Sequence, residues 1–108
     1  MAGPITVDDG VMIEKVQAAL QVYRFTWGSR HLSATATIAQ STWTIAAIEP
    51  PNDVSLVSDQ AAIESGDQTT RVRLSGGRLG GIYKVTNTIV TNETPAQTLL
   101  AHVIVKIT

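Results

Sequence analysis

Two histidines are the side chains of this chain that are best suited to acid–base or metal chemistry. His31 lies next to a predicted turn, and His102 lies on the outward side of the last predicted strand. No serine or carboxylate at a suitable spacing completes a nucleophile or metal-ligand motif around either histidine. Both are therefore predicted to be surface or interface side chains. We expect no enzyme activity, no cofactor and no metal.

The acidic residues are equally unpatterned. A glycosidase-type mechanism needs two carboxylates on opposite sides of one bond. In this chain only Asp8 and Asp9 are adjacent, and the others stand singly, five of them in predicted loops at Asp53, Asp59, Glu64, Asp67 and Glu93. We interpret them as solvated loop side chains.

Four glycines within residues 75–81 could suggest a loop that holds a phosphate. Such a loop is followed by the N-terminus of a helix. Here the alternation of Tyr83, Val85 and Ile89 with more polar residues predicts a strand instead. The glycines are therefore predicted to form tight turns with positive φ.

Composition sets the class of protein. Thr, Val and Ile make up 35 of the 108 residues, and β-branched side chains favour strands. The chain has no cysteine, so no disulfide can form, and β-sheets in this protein must be held together by packing alone. A net charge of −1 with 16% charged residues disfavours nucleic acid as a partner. No apolar run predicts a membrane span and the N-terminus does not resemble a signal peptide, so we expect a soluble protein made in the cytoplasm, where it is used.

Strands of short and regular spacing must position these residues. Alternating apolar residues and turn signals predict seven to eight strands, at residues 22–27, 34–39, 42–48, 54–57, 61–63, 69–74, 83–91 and 99–107. This pattern predicts an all-β fold, an antiparallel β-sandwich. Tyr83 follows the glycines where immunoglobulin-like domains place a tyrosine whose hydroxyl binds upstream backbone, so the sandwich is predicted to be immunoglobulin-like.

The aromatic residues leave two interpretations open. Tyr23, Phe25 and Trp27 share one face of a predicted strand, and together with Trp43 they could stack on sugar rings in a carbohydrate-binding module. The alternative is that they form the core and a contact with a neighbour, which we favour. Trp43 in particular is interpreted as a core residue.

Residues 1–21 differ from the rest and are predicted to be an N-terminal arm, either extended or a short helix, before a domain at residues 22–108. Low charge with 44% hydrophobic residues favours assembly, so a homo-oligomer is expected. The candidate interface combines apolar residues of the arm with the outward side of the last strand: Val11, Met12, Val16, Leu20, His102, Ile104 and Lys106.

Several motifs resemble tailed-phage fibre-tail adaptor proteins, which are small virion structural proteins. The motifs are a Ser-Thr-Trp-Thr strand at residues 41–44, a Leu-Ser-Gly-Gly turn at 74–77, a Gly-Ile-Tyr-Lys-Val-Thr-Asn strand at 81–87 and a final apolar strand. The resemblance covers about residues 25–106. It implies a non-enzymatic protein of the phage virion that joins the tail or tail tube to fibres through contacts with other virion proteins. A capsid decoration or cement protein is the alternative.

Overall fold

The computed structural model describes residues 5–7, 9–27, 36–64, 66 and 68–108. These residues contain eight β-strands. The strands are β1 (Ile5–Val7), β2 (Met12–Lys15), β3 (Gln21–Thr26), β4 (Ile38–Glu49), β5 (Leu56–Ile63), β6 (Thr69–Gly76), β7 (Ile82–Thr91) and β8 (Thr98–Ile107). The prediction of an all-β sandwich of seven to eight strands is confirmed.

The strands form two four-stranded sheets. One sheet has the order β1-β3-β6-β5 and the other has the order β2-β8-β7-β4. Four of the strand pairs are antiparallel, whereas β1 runs parallel to β3 and β2 runs parallel to β8. The sandwich is mostly antiparallel, as predicted. The exceptions are β1 and β2, which each add in parallel to one edge of a sheet.

The core lies between the two sheets and is built by alternate residues of the central strands. On β7 the inward side chains of Tyr83, Val85 and Ile89 are fully buried, and β8 contributes Val103 and Val105. The intervening residues of both strands are more exposed, as the two-residue period of a half-buried strand requires. This alternation confirms the division of the last strand into an inward and an outward side.

The helical alternative for the N-terminal segment is wrong. Residues 12–15 form β2, and residues 17–18 form a turn. Met12 and Glu14 are exposed while Lys15 is buried. The apolar residues whose spacing allowed a helix, such as Met12 and Val16, instead lie in this strand and the connection after it. The extended alternative agrees with the structure. The division into an arm of residues 1–21 and a domain of residues 22–108 stays a prediction.

Two pairs of predicted short strands are single strands. β4 continues through residues 40 and 41, and a register shift against β7 lies just before them, between Ile38 and Gln40. β5 likewise continues from residue 56 to residue 63, with a register shift against β6 between Asp59 and Ala62, where Gln60 has a φ of 52°. The predicted breaks are therefore wrong: each strand continues through them, and the register shifts lie beside the predicted positions.

Candidate assembly surface

The structure brings together residues of the candidate interface that are far apart in sequence. β2 adds to the edge of β8 in a register that places Met12 beside Ile104 and Glu14 beside Lys106. Met12 is 58% exposed, and Ile104 and Lys106 lie on the outward side of β8. The arm and the last strand therefore contribute to one continuous surface.

His102 completes this row at the beginning of β2. Its backbone N–H donates to Asp9 Oδ1 at 2.9 Å, and its Nδ1 lies 3.5 Å from the same oxygen. Its carbonyl accepts a hydrogen bond from the backbone N–H of Gly10 at 2.7 Å, and the carbonyl of Val11 accepts one from Ile104. These contacts fix the segment before β2 against β8.

Two residues of the candidate interface lie elsewhere. Val16 and Leu20 are 60% and 62% exposed and belong to the connection from β2 in one sheet to β3 in the other. The carbonyl of Val16 accepts from the backbone N–H of Ala19 in the turn. Their exposure agrees with a role in contacts, but neither stands beside β8 in the strand register.

We call the outward side of the β2-β8-β7-β4 sheet the outer sheet face. It is mostly uncharged, with threonine and aliphatic side chains in cross-strand rows. Its charged members are Glu14, Glu49, Lys84 and Lys106. The residues of the outer sheet face are Met12, Glu14, Gln40, Thr42, Thr44, Ala46, Glu49, Ile82, Lys84, Thr86, Thr88, Val90, Thr98, Leu100, His102, Ile104 and Lys106.

The other sheet presents a different surface. On it Arg73 binds the carboxylate of Asp59 through Nε and Nη2, at 2.8 and 2.6 Å. Arg24 lies 3.4 Å from Glu64. The hydrogen bonds from Arg73 to both carboxylate oxygens of Asp59 lower the pKa of Asp59. Ion pairs suit a surface that stays in water, whereas the outer sheet face carries few charges to desolvate.

The Tyr83 hydroxyl ties two loops at one end of the sandwich. It donates to Asp53 Oδ1 at 2.7 Å, accepts from the backbone N–H of Arg78 at 2.9 Å, and lies 3.1 Å from Ser55 Oγ. The hydroxyl thus contacts upstream backbone at Arg78, while the immunoglobulin-like assignment of the sandwich stays a prediction. Gly76, Gly77 and Gly80 have positive φ, as predicted, whereas Gly81 does not.

A buried polar network ties the sheets together near the middle of β7. Asn87 is fully buried, and its Oδ1 accepts from Trp27 Nε1 at 3.1 Å and from Thr70 Oγ1 at 2.5 Å. Its Nδ2 donates to Ser41 Oγ at 2.9 Å and to the carbonyl of Thr42 at 3.1 Å. From sequence, Asn87 is predicted only as part of a strand, because an asparagine in an alternating strand gives no sign of its partners.

Lys15 makes a second tie that the sequence did not indicate. Its side chain is on the inward side of β2, and the residue is only 2% exposed. The ammonium donates to the carbonyls of Val16, Gln17 and Gly76 at 3.0, 3.3 and 3.0 Å. Burial lowers the pKa of Lys15. Because Gly76 ends β6, this contact joins the two sheets.

The aromatic residues are part of the core. Tyr23, Phe25 and Trp27 are 2%, 3% and 1% exposed. Trp43 is partly buried and stacks on Phe25, with ring centroids 5.6 Å apart and planes inclined by 17°. Trp43 was interpreted as a core residue, but it is only partly buried and packs against the core, whereas Trp27 is the fully enclosed tryptophan.

The described residues contain no group of three or more His, Asp or Glu side chains that could hold a metal ion. His31 lies outside the described residues. Over the same parts of the chain, no helix has the length and hydropathy needed to cross a membrane.

The architecture defines the chain as a small two-sheet β-sandwich protein. Residues 15–106 match the family described as podophage GP4 fiber-tail adaptor protein gp77, so the chain belongs to this family of phage structural proteins. The resemblance seen in the sequence motifs is thereby confirmed. No curated protein sequence matches the chain.

A solved structure shows the same fold. The cysteine protease inhibitor EhICP2 from Entamoeba histolytica superposes with a TM-score of 0.55 and 15% identity, covering 97% of this chain and 93% of that one. At this identity the likeness concerns the fold alone.

Proposed function

We propose that this chain is a non-enzymatic component of the virion that joins the phage tail or tail tube to its fibres, acting in several copies through protein–protein contacts. Family membership supports a structural adaptor. The observation that carries the contact surface is the outer sheet face, where Met12, Ile104 and Leu100 supply exposed or partly exposed aliphatic area with few charges. Such a surface can be buried against another protein at little electrostatic cost.

A matched pair of substitutions tests this surface. Met12→Glu places a carboxylate on the outer sheet face, and Val57→Glu places one at a residue of similar exposure, 50%, on the other sheet. In phage carrying each variant gene, we expect Met12→Glu to reduce the fraction of fibre-bearing particles by about tenfold or more, because an unpaired charge would be buried at the contact. Val57→Glu should leave that fraction unchanged. Equal effects of the two variants would refute the assignment of the surface.

A capsid decoration or cement protein would use the same kind of surface. The two functions differ in where the protein lies in the particle and in how many copies are present. A cryo-EM map of the virion should show the eight-stranded sandwich at the junction of tail and fibres. Density that repeats over the capsid lattice would support the cement function instead.

Carbohydrate binding is disfavoured by the burial of the rings that it would need. Tyr23, Phe25 and Trp27 are enclosed in the core, so they offer no flat face to a sugar. Tryptophan fluorescence should be blue-shifted and resistant to quenchers. A red-shifted emission that responds to glycans would favour a binding module.

A further inference from the structure

The strands at the sheet edges differ in how well they are protected from pairing with another chain. β1 has three residues, β2 has four, and β5 is interrupted by the register shift after Asp59. Short strands, bulges and charges are the usual means of protecting an edge. β4 has twelve residues, its residues 40–47 pair with β7 without interruption, and its only charged residue is the terminal Glu49.

The core is also less complete at β4 than at the inner strands. The inward side chains of Trp43, Ile45 and Ala47 pack on the core but remain partly exposed, whereas those of Tyr83 and Val85 on the adjacent strand are fully buried. The indole N–H of Trp43 is buried and has no hydrogen-bond partner in the described part of the chain. Buried donors are normally satisfied, so this one marks the part of the core under β4 as less complete than the part under the inner strands.

The chemistry of a free strand edge defines what can cover it. Its unpaired backbone N–H and C=O groups are satisfied by another extended strand. A second copy of β4 fits this edge because residues 38–48 carry no charge, so pairing the strand with itself brings no like charges together. Thr42 and Thr44 flank Trp43 on its two sides. An antiparallel pair centred on Trp43 would place each Thr42 opposite a Thr44, and no charge would face a like charge.

We propose that the free edge of β4 is a self-association site, at which two copies of this chain pair their β4 strands antiparallel about a twofold axis at Trp43. The β2-β8-β7-β4 sheet of one copy and the same sheet of the other copy then form one continuous eight-stranded sheet. The contact is isologous, so it closes after two copies and does not continue into a fibre. The isolated protein should form this β4 pair by itself, whichever virion protein the outer sheet face contacts.

A charge on the edge strand and the same charge one strand further in distinguish edge pairing from other contacts. Thr44 and Thr86 are register partners on the outer sheet face, with Thr44 on β4 and Thr86 on β7. Thr44→Lys brings two ammonium groups close together across the proposed axis, and Thr86→Lys does not. In sedimentation equilibrium of the full chain, wild type and Thr86→Lys should dimerise, with the dissociation constant of Thr44→Lys raised about tenfold or more.

A monomeric wild-type chain up to about millimolar concentration would overturn the proposal. Equal dimerisation of Thr44→Lys and wild type would overturn it as well. Circular dichroism of each variant confirms that the sandwich is intact. The cysteine test below adds no charge to the edge and so gives a second measurement if Thr44→Lys does not fold.

Cysteine cross-linking tests the register, and the chain suits it because it contains no cysteine. In the proposed pair the side chains of Thr42 and Thr44 lie directly opposite, about 5 Å apart at Cβ, which is close to the separation of a disulfide. Two Thr42 residues lie diagonally, at about 7–8 Å. A mixture of Thr42→Cys and Thr44→Cys chains should therefore form disulfide dimers under mild oxidation faster than either variant alone. No excess of dimer in the mixture would contradict pairing about Trp43.

Discussion

Asn87 on β7 and Thr70 on β6 meet across the centre of the sandwich, with the threonine hydroxyl donating to Asn87 Oδ1 at 2.5 Å. The two residues belong to different sheets, and both are fully buried. Trp27 Nε1 donates to both of their side-chain oxygens. A chain without disulfides thus has a fully bonded polar link between its sheets, which fixes how the sheets align.

Replacement of Asn87 by leucine should remove this link at nearly constant volume. The hydroxyl of Thr70 would lose its acceptor inside the core, where an unsatisfied polar group costs about 1–3 kcal/mol, and the half-buried hydroxyl of Ser41 would lose its bond to Asn87. We expect Asn87→Leu to lower the free energy of unfolding by about 2 kcal/mol or more in urea titrations. Thr88→Leu, on the outward side of the same strand, is the control. Equal losses in the two variants would show that the network does not stabilise the fold.

Gly77 and Gly80 provide a matched test of the turn between β6 and β7. Both have positive φ, of 98° and 80°. A Cβ on Gly77 would lie 2.6 Å from Cγ1 of Ile107, whereas a Cβ on Gly80 would meet nothing within 4 Å. Gly80→Ala should therefore cost only the backbone strain, about 1–2 kcal/mol, and Gly77→Ala should cost about 1–3 kcal/mol more. Thermal unfolding of both variants measures the difference, and equal costs would mean that Ile107 moves aside freely.

Local pattern was sufficient for most of the fold. The alternation along β7 and β8 predicted which residues face the core, because a half-buried strand has a period of two. The same rule could not show that β1 and β2 pair in parallel with β3 and β8. Parallel pairing to a sheet edge depends on the path of the chain between elements, and segments of three and four residues carry too little pattern to reveal it.

The candidate site was partly accessible from sequence. Met12 and Ile104 were chosen as exposed apolar residues, and the strand register then placed them side by side. The buried roles of Lys15 and Asn87 were not accessible, because each depends on partners about 45–61 residues away in the chain. Residue type alone would place a lysine at the surface.

The Asp53 carboxylate should make stability depend on pH in the acid range. Hydrogen bonds from Ser55 and from the Tyr83 hydroxyl hold the pKa of Asp53 below its ordinary value of 3.8. As pH falls below about 3.8, the unfolded chain takes up a proton at this residue before the folded chain does, so the stabilisation present at neutral pH is lost as pH approaches the lowered pKa. Asp53→Asn cannot titrate and lacks this contribution.

The melting temperatures of wild type and Asp53→Asn should therefore differ most at neutral pH and converge as pH is lowered below 3.8. Asp59, whose pKa is lowered by its hydrogen bonds from Arg73, titrates in both proteins and cancels in the difference. A gap that stays constant over this range would show that Asp53 does not contribute through its charge.

Deletion of residues 1–21 tests whether the N-terminal segment is an arm or part of the domain. The deletion removes β1 and β2, including the core residue Val7 and the buried Lys15. The six remaining strands keep their antiparallel pairing, so we expect a folded product that is less stable by at least about 2 kcal/mol. It should also assemble less well, since the outer sheet face loses Met12. Circular dichroism and light scattering measure the two effects, with a deletion of residues 1–4 as the control. An unfolded product would show that the first two strands are integral to the domain.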